Sequence, residues 1–222
     1  MCGRFTLTVD TADLQDAFPG VALPDELPPR YNIAPAQPVA VIANNGENML
    51  EFYRWGLIPA WAKDPKIGNR LINARAETLA EKPSFRTAFK KRRCLIPSDG
   101  FYEWRVEPGR KTKTPMYIRM QSGKPFAFAG LWESWRPEGG EPVLTCTIIT
   151  TTPNSLVEKI HDRMPVILPP EAYEQWLAQH DPSPDRLSKL LKPYQASAMT
   201  AYAVSTLVNR PGLDSPELIH PA

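Results

Sequence analysis

The sequence predicts an α+β fold, and two observations support that prediction. Short apolar segments of strand type recur along the chain, and fewer segments of helical type lie among them. Their order mixes hairpins with isolated helices and lacks the regular alternation of strand and helix that a parallel sheet requires. We therefore expect one domain spanning residues 1–222, built mostly on antiparallel sheets with a few flanking helices.

The predicted strands are short apolar runs at 39–43, 49–55, 94–97, 101–105, 116–120, 126–132, 143–151, 164–168 and 201–204. The polar stretch 136–142 between two of these runs indicates a hairpin loop. The predicted helices are 11–18, 84–91, 154–161, 170–178 and 183–191, and the fourth has a proline in its first turn.

The composition is that of an ordinary globular protein. Of 222 residues, 42% are hydrophobic and 23% are charged, which supplies enough apolar material for a full core. The 25 prolines are dispersed among apolar runs, a pattern that favours ordered loops over disorder. No apolar run approaches the roughly 20 residues needed to cross a bilayer, and no signal-peptide pattern is present, so we expect a cytoplasmic protein.

The net charge and the cysteines narrow the classes of function. A net charge of +2 means that any nucleic-acid surface must be a local patch. Cys2, Cys94 and Cys146 are too widely separated to form a paired metal-ligand motif or a disulfide framework. The two internal cysteines lie in apolar, strand-like runs and are expected to be core thiols. The three histidines are equally isolated, so no metal and no cofactor is expected.

The first residues of the chain offer an unusual reagent. A small residue after Met1 permits removal of the initiator methionine, which leaves the α-amine of Cys2 beside its thiol. Such an aminothiol can condense with an aldehyde to an imine and then close to a five-membered thiazolidine, a route closed to internal cysteines. An α-amine has an ordinary pKa of about 7.7 to 8.0, so it is nucleophilic near neutral pH. The alternative is a frayed terminus with an incidental cysteine.

Two residues are suited to proton transfer. Glu103 lies between Tyr102 and Trp104 in a predicted strand, and apolar surroundings raise the pKa of a carboxyl group toward neutrality. The alternative places Glu103 on the solvent side of its strand. His161 ends a predicted helix just before a strand, whereas the other two histidines fall in a polar loop and near the C-terminus. The alternative for His161 is a surface histidine.

The segment 71–78 runs from an apolar pair into an amide, a guanidinium and a carboxylate. Asn73 can donate and accept hydrogen bonds at once, which suits the holding of an amine or a sugar hydroxyl. The alternatives are that Asn73 caps a helix and that Arg75 forms a solvated pair with Glu77.

Basic and aromatic side chains form a candidate groove for a nucleic-acid strand: Arg4, Trp61, Arg75, Arg86, Lys90, Lys91, Arg92, Arg93 and Arg163. Basic groups bind phosphates, and an exposed indole can stack on an unpaired base. The run 90–93 has an alternative interpretation, in which its charges protect the strand that follows from aggregation.

Six separated motifs, in the same order, resemble the SOS-response-associated peptidase family: MCGRF at 1–5, YNIAP at 31–35, WGLIP at 55–59, INARAET at 72–78, the block from RCLIP to FYEW at 93–104, and IHDRMP at 160–165. The resemblance implies barrel-like sheets and an intracellular protein that recognises abasic sites in single-stranded DNA. It implies that the N-terminal cysteine joins the ring-opened sugar aldehyde as a stable thiazolidine.

The resemblance also implies a role for individual residues. Cys2 is the nucleophile, Asn73 holds its amine, and Glu103 and His161 move protons during imine formation, ring opening and reversal. The implied DNA contacts are Arg4, Arg75 and Arg163 at phosphates, Trp61 near the bases, and Arg86.

We expect a monomer that acts on single-stranded DNA without a metal or a membrane, located at the nucleoid if the source is bacterial. The family name includes a peptidase activity, in which residues that precede the cysteine are removed. Only Met1 precedes Cys2 here, so an ordinary aminopeptidase would suffice.

Two rival functions stay open at this stage. An N-terminal-nucleophile amidotransferase also begins with Met-Cys-Gly and uses the amine of the cysteine as its base, and it would hydrolyse glutamine. A non-catalytic module for single-stranded DNA would tolerate Cys2→Ala and would form no covalent product.

Overall fold

The computed structural model describes residues 2–109, 112–179 and 183–222. Its strands are β1 (Arg4–Leu7), β2 (Arg30–Ile33), β3 (Pro38–Ala43), β4 (Leu50–Trp55), β5 (Asn73–Arg75), β6 (Arg93–Ser98), β7 (Gly100–Arg105), β8 (Thr114–Met120), β9 (Phe126–Trp135), β10 (Val143–Thr151), β11 (Met164–Pro165), β12 (Ile167–Leu168) and β13 (Met199–Ala203). Its α-helices are short: α1 (Thr11–Ala17), α2 (Arg86–Lys91), α3 (Tyr173–Leu177) and α4 (Pro184–Ser188). Its 3₁₀ segments are Pro65–Arg70, Ala76–Thr78, Val157–Lys159, Pro170–Ala172, Ala196–Ala198, Thr206–Asn209 and Pro216–Ile219.

Five strands close into a barrel. The hydrogen-bonded order is β4, β3, β6, β9 and β10, and all of these neighbours are antiparallel. The ring closes where β10 pairs in parallel with β4, through Thr145 with Arg54 and Cys146 with Trp55. Closure gives each of the five strands two neighbours, which protects their edges. The predicted α+β fold with mostly antiparallel, barrel-like sheets is therefore confirmed.

Barrel strands β3 and β6 read as nearly continuous apolar runs because they are covered on both faces, whereas β4 is partly exposed, with Phe52 52% accessible. All six residues of β6 are buried, since α2 and α3 pack against the outside of this strand. Such double coverage removes the in-and-out alternation that a half-exposed strand shows. Cys94 of β6 and Cys146 of β10 are both fully buried free thiols, which confirms that they belong to the core.

A second, antiparallel sheet packs on the barrel in the order β13, β8, β7, β1, β2. Phe5 of β1 lies 5.2 Å from Trp55 and 5.6 Å from Phe128, measured between ring centroids. Phe101 of β7 lies 6.0 Å from the same Phe128. Burial of one such side chain stabilises the fold by about 1.5–3 kcal/mol, so this aromatic cluster fixes the sheet against the barrel.

Two predicted elements differ from the structure in informative ways. The predicted strand 164–168 is divided at Val166, whose N–H donates to Ile149 of β10 while its carbonyl accepts from Ala129 of β9. The segment thus crosses from one barrel strand to the next. The predicted helix 154–161 is wrong, because only the 3₁₀ turn Val157–Lys159 forms. Thr151 and Met164 pair across this connection, so the chain must turn back after one turn.

The other predicted elements are present with shifted ends. The predicted helix 170–178 begins as a 3₁₀ turn and continues as α3, and the predicted helix 183–191 is shortened to α4. Trp135 and Val143 form the last pair of a hairpin, which confirms the predicted loop 136–142. Within the described ranges, no helix is long and apolar enough to span a membrane.

Candidate active site and DNA interface

Cys2 lies two residues before the start of β1, which pairs with both β7 and β2 of the five-stranded sheet. It is fully buried, and its Sγ lies 3.9 Å from the carbonyl oxygen of Arg4. Burial raises the pKa of the Cys2 thiol, and the nearby charge of Glu103 raises it further. The thiol is therefore neutral at physiological pH and needs a base before it can act as a thiolate.

Glu103 lies on β7, which is paired with β1 so that Arg4 faces Tyr102. Only 2% of Glu103 is exposed, so the alternative of a solvent-facing strand glutamate is wrong. Its predicted cause of burial is also wrong, because Tyr102 and Trp104 pack in a separate cluster on the other face of the strand. Burial raises the pKa of Glu103 from 4.5 to about 6. The carboxyl group can therefore exchange a proton near neutral pH.

Asn73 begins β5, which pairs in parallel with β10 through Ile148. Its Nδ2 donates to the carbonyl oxygen of Cys2 at 2.8 Å. The alternative of a helix cap is therefore wrong. Its Oδ1 is buried, and no donor among the described residues reaches it. Since a buried amide oxygen without a partner costs free energy, this atom is available to accept a hydrogen bond from a further group beside Cys2.

His161 follows the 3₁₀ turn Val157–Lys159, and its side chain is 24% exposed. Its Nδ1 accepts a hydrogen bond from the backbone N–H of Arg163 at 3.1 Å. A neutral imidazole with this acceptor carries its proton on Nε2. The carboxylate of Asp162 also lies 2.8 Å from Nδ1, but it is 87% exposed and needs a proton on Nδ1, so we assign the backbone contact. Burial lowers the pKa of His161, which favours this neutral form.

Glu103 and His161 face each other across the site. The Nε2 atom of His161 lies 3.9 Å from Oε2 of Glu103, which is too long for a direct hydrogen bond. A single hydroxyl oxygen placed about 2.8 Å from both atoms fits this spacing. The pair can thus act on one oxygen of a substrate from two sides.

The arginines beside the site differ in how they are held. Arg75 ends β5 and is exposed. Arg163 is bound by Glu77 in a bidentate ion pair, with Nη1–Oε1 and Nη2–Oε2 distances of 2.8 and 2.9 Å. The alternative in which Arg75 forms a solvated pair with Glu77 is therefore wrong, because Glu77 forms its ion pair with Arg163. Arg4 donates through Nη1 to Asn32 and to the carbonyl of Val208.

Trp61 is exposed on a loop that the barrel anchors at both sides. Its indole is 60% exposed. The next residue, Ala62, accepts a hydrogen bond from Nε1 of Trp135 at 2.7 Å. Gly56 starts the loop with φ +130°, and a Cβ there would lie 2.7 Å from the carbonyl oxygen of Gly68. Only glycine permits both this backbone and this approach, so the WGLIP motif presents Trp61 on a rigid base.

The prediction that the run 90–93 belongs to a DNA-binding groove is wrong for Arg93. Arg93 is fully buried, and its guanidinium donates to the carbonyl oxygens of Phe89, Lys90, Trp176 and Ala178. It therefore holds α2 and α3 on the barrel and cannot meet DNA. Arg86 is exposed at the start of α2, which packs on β6 and β9, and neither of these strands carries a catalytic candidate.

The structure brings Cys2, Asn73, Glu103 and His161 together from four separate segments. His180 lies outside the described residues, and His220 is exposed near the C-terminus. In the described ranges, no group of three or more His, Cys, Asp or Glu side chains could hold a metal ion. The sequence analysis did not predict the ion pair between Glu77 and Arg163. The one signal for it was the position of Glu77 in the INARAET motif.

Comparison with known proteins agrees with these motifs. The model of the family described as SOS response associated peptidase (SRAP) matches residues 1–211. The chain is 55% identical over 223 residues to abasic site processing protein YoqW of Bacillus subtilis (strain 168), with 99% of each chain covered. It is 32% identical over 263 residues to abasic site processing protein HMCES of Gallus gallus, covering 100% of this chain and 78% of that one. A crystal structure of a protein from Bacteroides thetaiotaomicron matches with a TM-score of 0.89, 30% identity and 100% coverage of both chains.

Proposed function

The chain belongs to the SOS response associated peptidase family, and we propose that it captures abasic sites of single-stranded DNA covalently through Cys2 once Met1 is removed. Its relatives are abasic site processing proteins by name. The observation that carries the proposal is the contact of Asn73 with the carbonyl of Cys2 at 2.8 Å. This contact joins the nucleophile to the amide that is to hold its amine, beside a buried carboxyl group of raised pKa.

The proposed reaction begins at the aldehyde of the ring-opened deoxyribose. The α-amine of Cys2 adds to the aldehyde carbon, and the resulting carbinolamine loses water to give an imine. The Sγ atom then bonds to the same carbon, and the thiol proton passes to the imine nitrogen. The thiazolidine that forms contains the atoms of amine, thiol and aldehyde less one water, so no oxidant or cofactor is required.

Glu103 and His161, which lie beside Cys2, are suited to carry out the proton transfers of this reaction. Glu103, with a pKa of about 6, is mostly ionised at neutral pH and can accept a proton from the amine or the thiol. It can then return that proton to the carbinolamine oxygen as water leaves. The neutral His161, with its proton on Nε2, can donate to the same oxygen from the opposite side. Run backwards, these steps take up one water and release the DNA with its aldehyde restored, which would be a hydrolysis of the adduct.

The unpartnered Oδ1 of Asn73 supports its role toward the amine. Its Nδ2 is already committed to the Cys2 carbonyl, while Oδ1 is buried without a donor from the described residues. An N–H of the Cys2 amine is a donor of the right kind at the adjacent position. Such a bond would orient the nitrogen lone pair toward the aldehyde.

The DNA strand is held by side chains around this centre. Exposed Arg75 is suited to a phosphate. Arg4 and Arg163 would contribute further phosphate contacts only through N–H groups that Asn32 and Glu77 leave available. The exposed indole of Trp61 is suited to stack on a base next to the lesion. Arg86 would contact the strand only farther from Cys2. We propose a monomer located at the nucleoid of a bacterium or in the cytoplasm, and we treat peptidase activity as limited to removal of residues before Cys2.

The test combines protein whose loss of Met1 is confirmed by mass spectrometry with single-stranded DNA that carries one abasic site. We expect an adduct that survives denaturation and maps to residue 2. Cys2→Ala and protein that keeps Met1 should give no adduct, while Cys94→Ala, which removes a buried core thiol, should give the wild-type amount. Hydrolysis of glutamine without an adduct would identify an amidotransferase instead. Unchanged DNA affinity in Cys2→Ala with no adduct from the wild type would identify a binding module.

A further inference from the structure

The ion pair between Glu77 and Arg163 links the two segments that carry Asn73 and His161. Glu77 lies in the 3₁₀ turn Ala76–Thr78, directly after β5. Arg163 directly precedes β11 and lies two residues after His161. The carboxylate and the guanidinium meet through two parallel hydrogen bonds of 2.8 and 2.9 Å. Bidentate pairs of this kind fix the orientation of both partners.

Arg163 is held more firmly than an ordinary surface arginine. Its side chain is 12% exposed, against 47% for Glu77. Its Nη2 also donates to the carbonyl oxygen of Thr150 at 2.7 Å, and Thr150 itself pairs with both Arg75 of β5 and Pro165 of β11. The hydrogen bond from Arg163 lowers the pKa of Glu77, so the carboxylate stays ionised at neutral pH.

The backbone of Arg163 also orients the imidazole of His161. Its N–H donates to Nδ1 of His161 at 3.1 Å, which leaves the proton on Nε2, the nitrogen that faces Glu103. A side chain clamped at Glu77 and Thr150 holds the backbone of residue 163 in place. The turn 161–163 has no helix to stabilise it, because the preceding 3₁₀ turn ends at Lys159.

We propose that Glu77 is a positioning residue, which holds Arg163 and thereby fixes the orientation and tautomer of His161 toward Glu103. The inference rests on the proposed function, since it assigns the support of a proton donor in that reaction. Loss of the Glu77 charge then slows the chemical step itself, beyond any change in DNA affinity.

A different interpretation of the Glu77–Arg163 ion pair predicts no change in the rate of the chemical step. If Glu77 only covers Arg163, its removal would free a cation for a DNA phosphate, tighten binding and leave the chemical step unchanged. The backbone contact between Arg163 and His161 argues against this interpretation, because any change in how Arg163 is held is passed to the imidazole through the N–H of residue 163.

The kinetic experiment uses Glu77→Gln, which keeps the shape and removes the charge. The matched control is Glu81→Gln, which removes the same charge from an exposed position in the same segment. Single-turnover capture of abasic single-stranded DNA is measured against DNA concentration. We expect the maximal rate of Glu77→Gln to fall about tenfold or more and that of Glu81→Gln to match the wild type. An unchanged maximal rate with tighter binding would overturn the proposal.

A double-mutant cycle shows whether Glu77 acts through Arg163. In an Arg163→Met background, Glu77→Gln should have no further effect on the maximal rate. Additive losses would mean that Glu77 acts independently and would overturn the proposal. Thermal unfolding of each variant confirms a folded protein, and Glu77→Asp, which keeps the charge on a shorter side chain, serves if Glu77→Gln does not fold.

A spectroscopic measurement does not depend on the reaction. Two-bond ¹⁵N–¹H correlations of histidine rings report the tautomer, and the signals of His161 are identified by their loss in His161→Gln. We expect a single Nε2–H tautomer in the wild type and a mixture in Glu77→Gln. A wild-type pattern in Glu77→Gln would overturn the proposal. Absence of any adduct in the wild type, with the tautomer change intact, would contradict the proposed function and leave the positioning role standing.

Discussion

The five-stranded sheet and the barrel contribute different kinds of group to the site. The sheet supplies Cys2 and Glu103, which are 0% and 2% exposed and whose pKa values burial raises. Segments that flank barrel strand β10 supply Asn73, His161 and Arg163, which are partly exposed: Asn73 donates to Cys2, and the N–H of Arg163 donates to Nδ1 of His161. The sheet thus holds the proposed nucleophile and a buried carboxyl group. The barrel side holds Asn73 and Arg163, which are proposed to orient other groups, together with His161, the second group proposed to move protons.

Because the site residues come from both the five-stranded sheet and the barrel, the packing of the sheet on the barrel determines the geometry of the site. The distance of 3.9 Å between Glu103 and His161 is measured across that contact, and the packing of Phe5 and Phe101 on Phe128 fixes it. A change inside the site should therefore alter chemistry with little loss of stability. A change inside the barrel should do the reverse.

The largest expected effect comes from the sheet side, with Glu103→Gln. Loss of a general acid or base slows a reaction by about 10²–10⁴-fold, and we expect single-turnover capture to slow within that range. The pH dependence sharpens the assignment. Capture by the wild type needs both an ionised Glu103, with a pKa of about 6, and a neutral α-amine.

The logarithm of the wild-type rate should therefore rise with a slope of about 2 below pH 6 and about 1 between pH 6 and 8. In Glu103→Gln the slope should be about 1 throughout. A bend near pH 6 that persists in the variant would assign that titration to another group. An unchanged rate would remove Glu103 from the mechanism.

The same substitution should stabilise the fold at neutral pH. Because the folded-state pKa of Glu103 lies above 4.5, the folded protein binds more protons than the unfolded chain between pH 4.5 and about 6. Stability is therefore lost as pH rises through that window, and ionised Glu103 costs about 1–2 kcal/mol above it. Urea unfolding at pH 7.5 should show Glu103→Gln more stable than the wild type by about that amount, with the difference gone near pH 4.5.

The next largest expected effect is a loss of stability from a substitution on the barrel side, Arg93→Met. Arg93→Met removes the donor for the buried carbonyl of Trp176 and for the part-buried carbonyl of Ala178. We expect a loss of about 2–4 kcal/mol in the free energy of unfolding and an unchanged capture rate per folded molecule. Lys90→Met, at an exposed position of α2, is the control and should cost little. A capture rate that fell with Arg93→Met at full folding would show that the barrel and the chemistry are not separable.

The comparison of the two regions also shows what the sequence could predict. The barrel strands β3, β4, β6, β9 and β10 could be predicted to within a few residues. Burial on both faces makes β3 and β6 nearly continuous apolar runs, and β4 still has four apolar residues among six although it is partly exposed. Strands β1 and β2 were missed because Arg4 and Asn32 interrupt short segments. Tertiary contacts hold them instead, as when Nδ2 of Asn32 donates to the carbonyls of Val208, Arg210 and Leu213.

In the candidate site, too, some features could be predicted from the sequence and others depend on tertiary contacts. The identities of its residues could be predicted from motifs, while their partners depended on contacts between distant segments. Nothing in the local sequence indicates that Glu77 pairs with Arg163, 86 residues away, or that Arg93 is buried whereas Arg75 is exposed. Likewise, Glu103 was expected to be desolvated by its sequence neighbours, but the barrel-facing side of its strand buries it.

The smallest expected effect is on DNA binding at the barrel side, with Arg75→Ala. An exposed arginine that contacts one phosphate releases one counterion on binding, so its loss should reduce the slope of log affinity against log salt by roughly 0.7 for a single strand. Arg136→Ala removes the same charge from the exposed hairpin loop between β9 and β10 and should leave the slope unchanged. The maximal capture rate should stay that of the wild type, because Arg75 is proposed to bind the strand and makes no described contact with Cys2, Glu103 or His161. A reduced maximal rate with an unchanged salt slope would mean that Arg75 acts on the reacting groups and is not a phosphate contact.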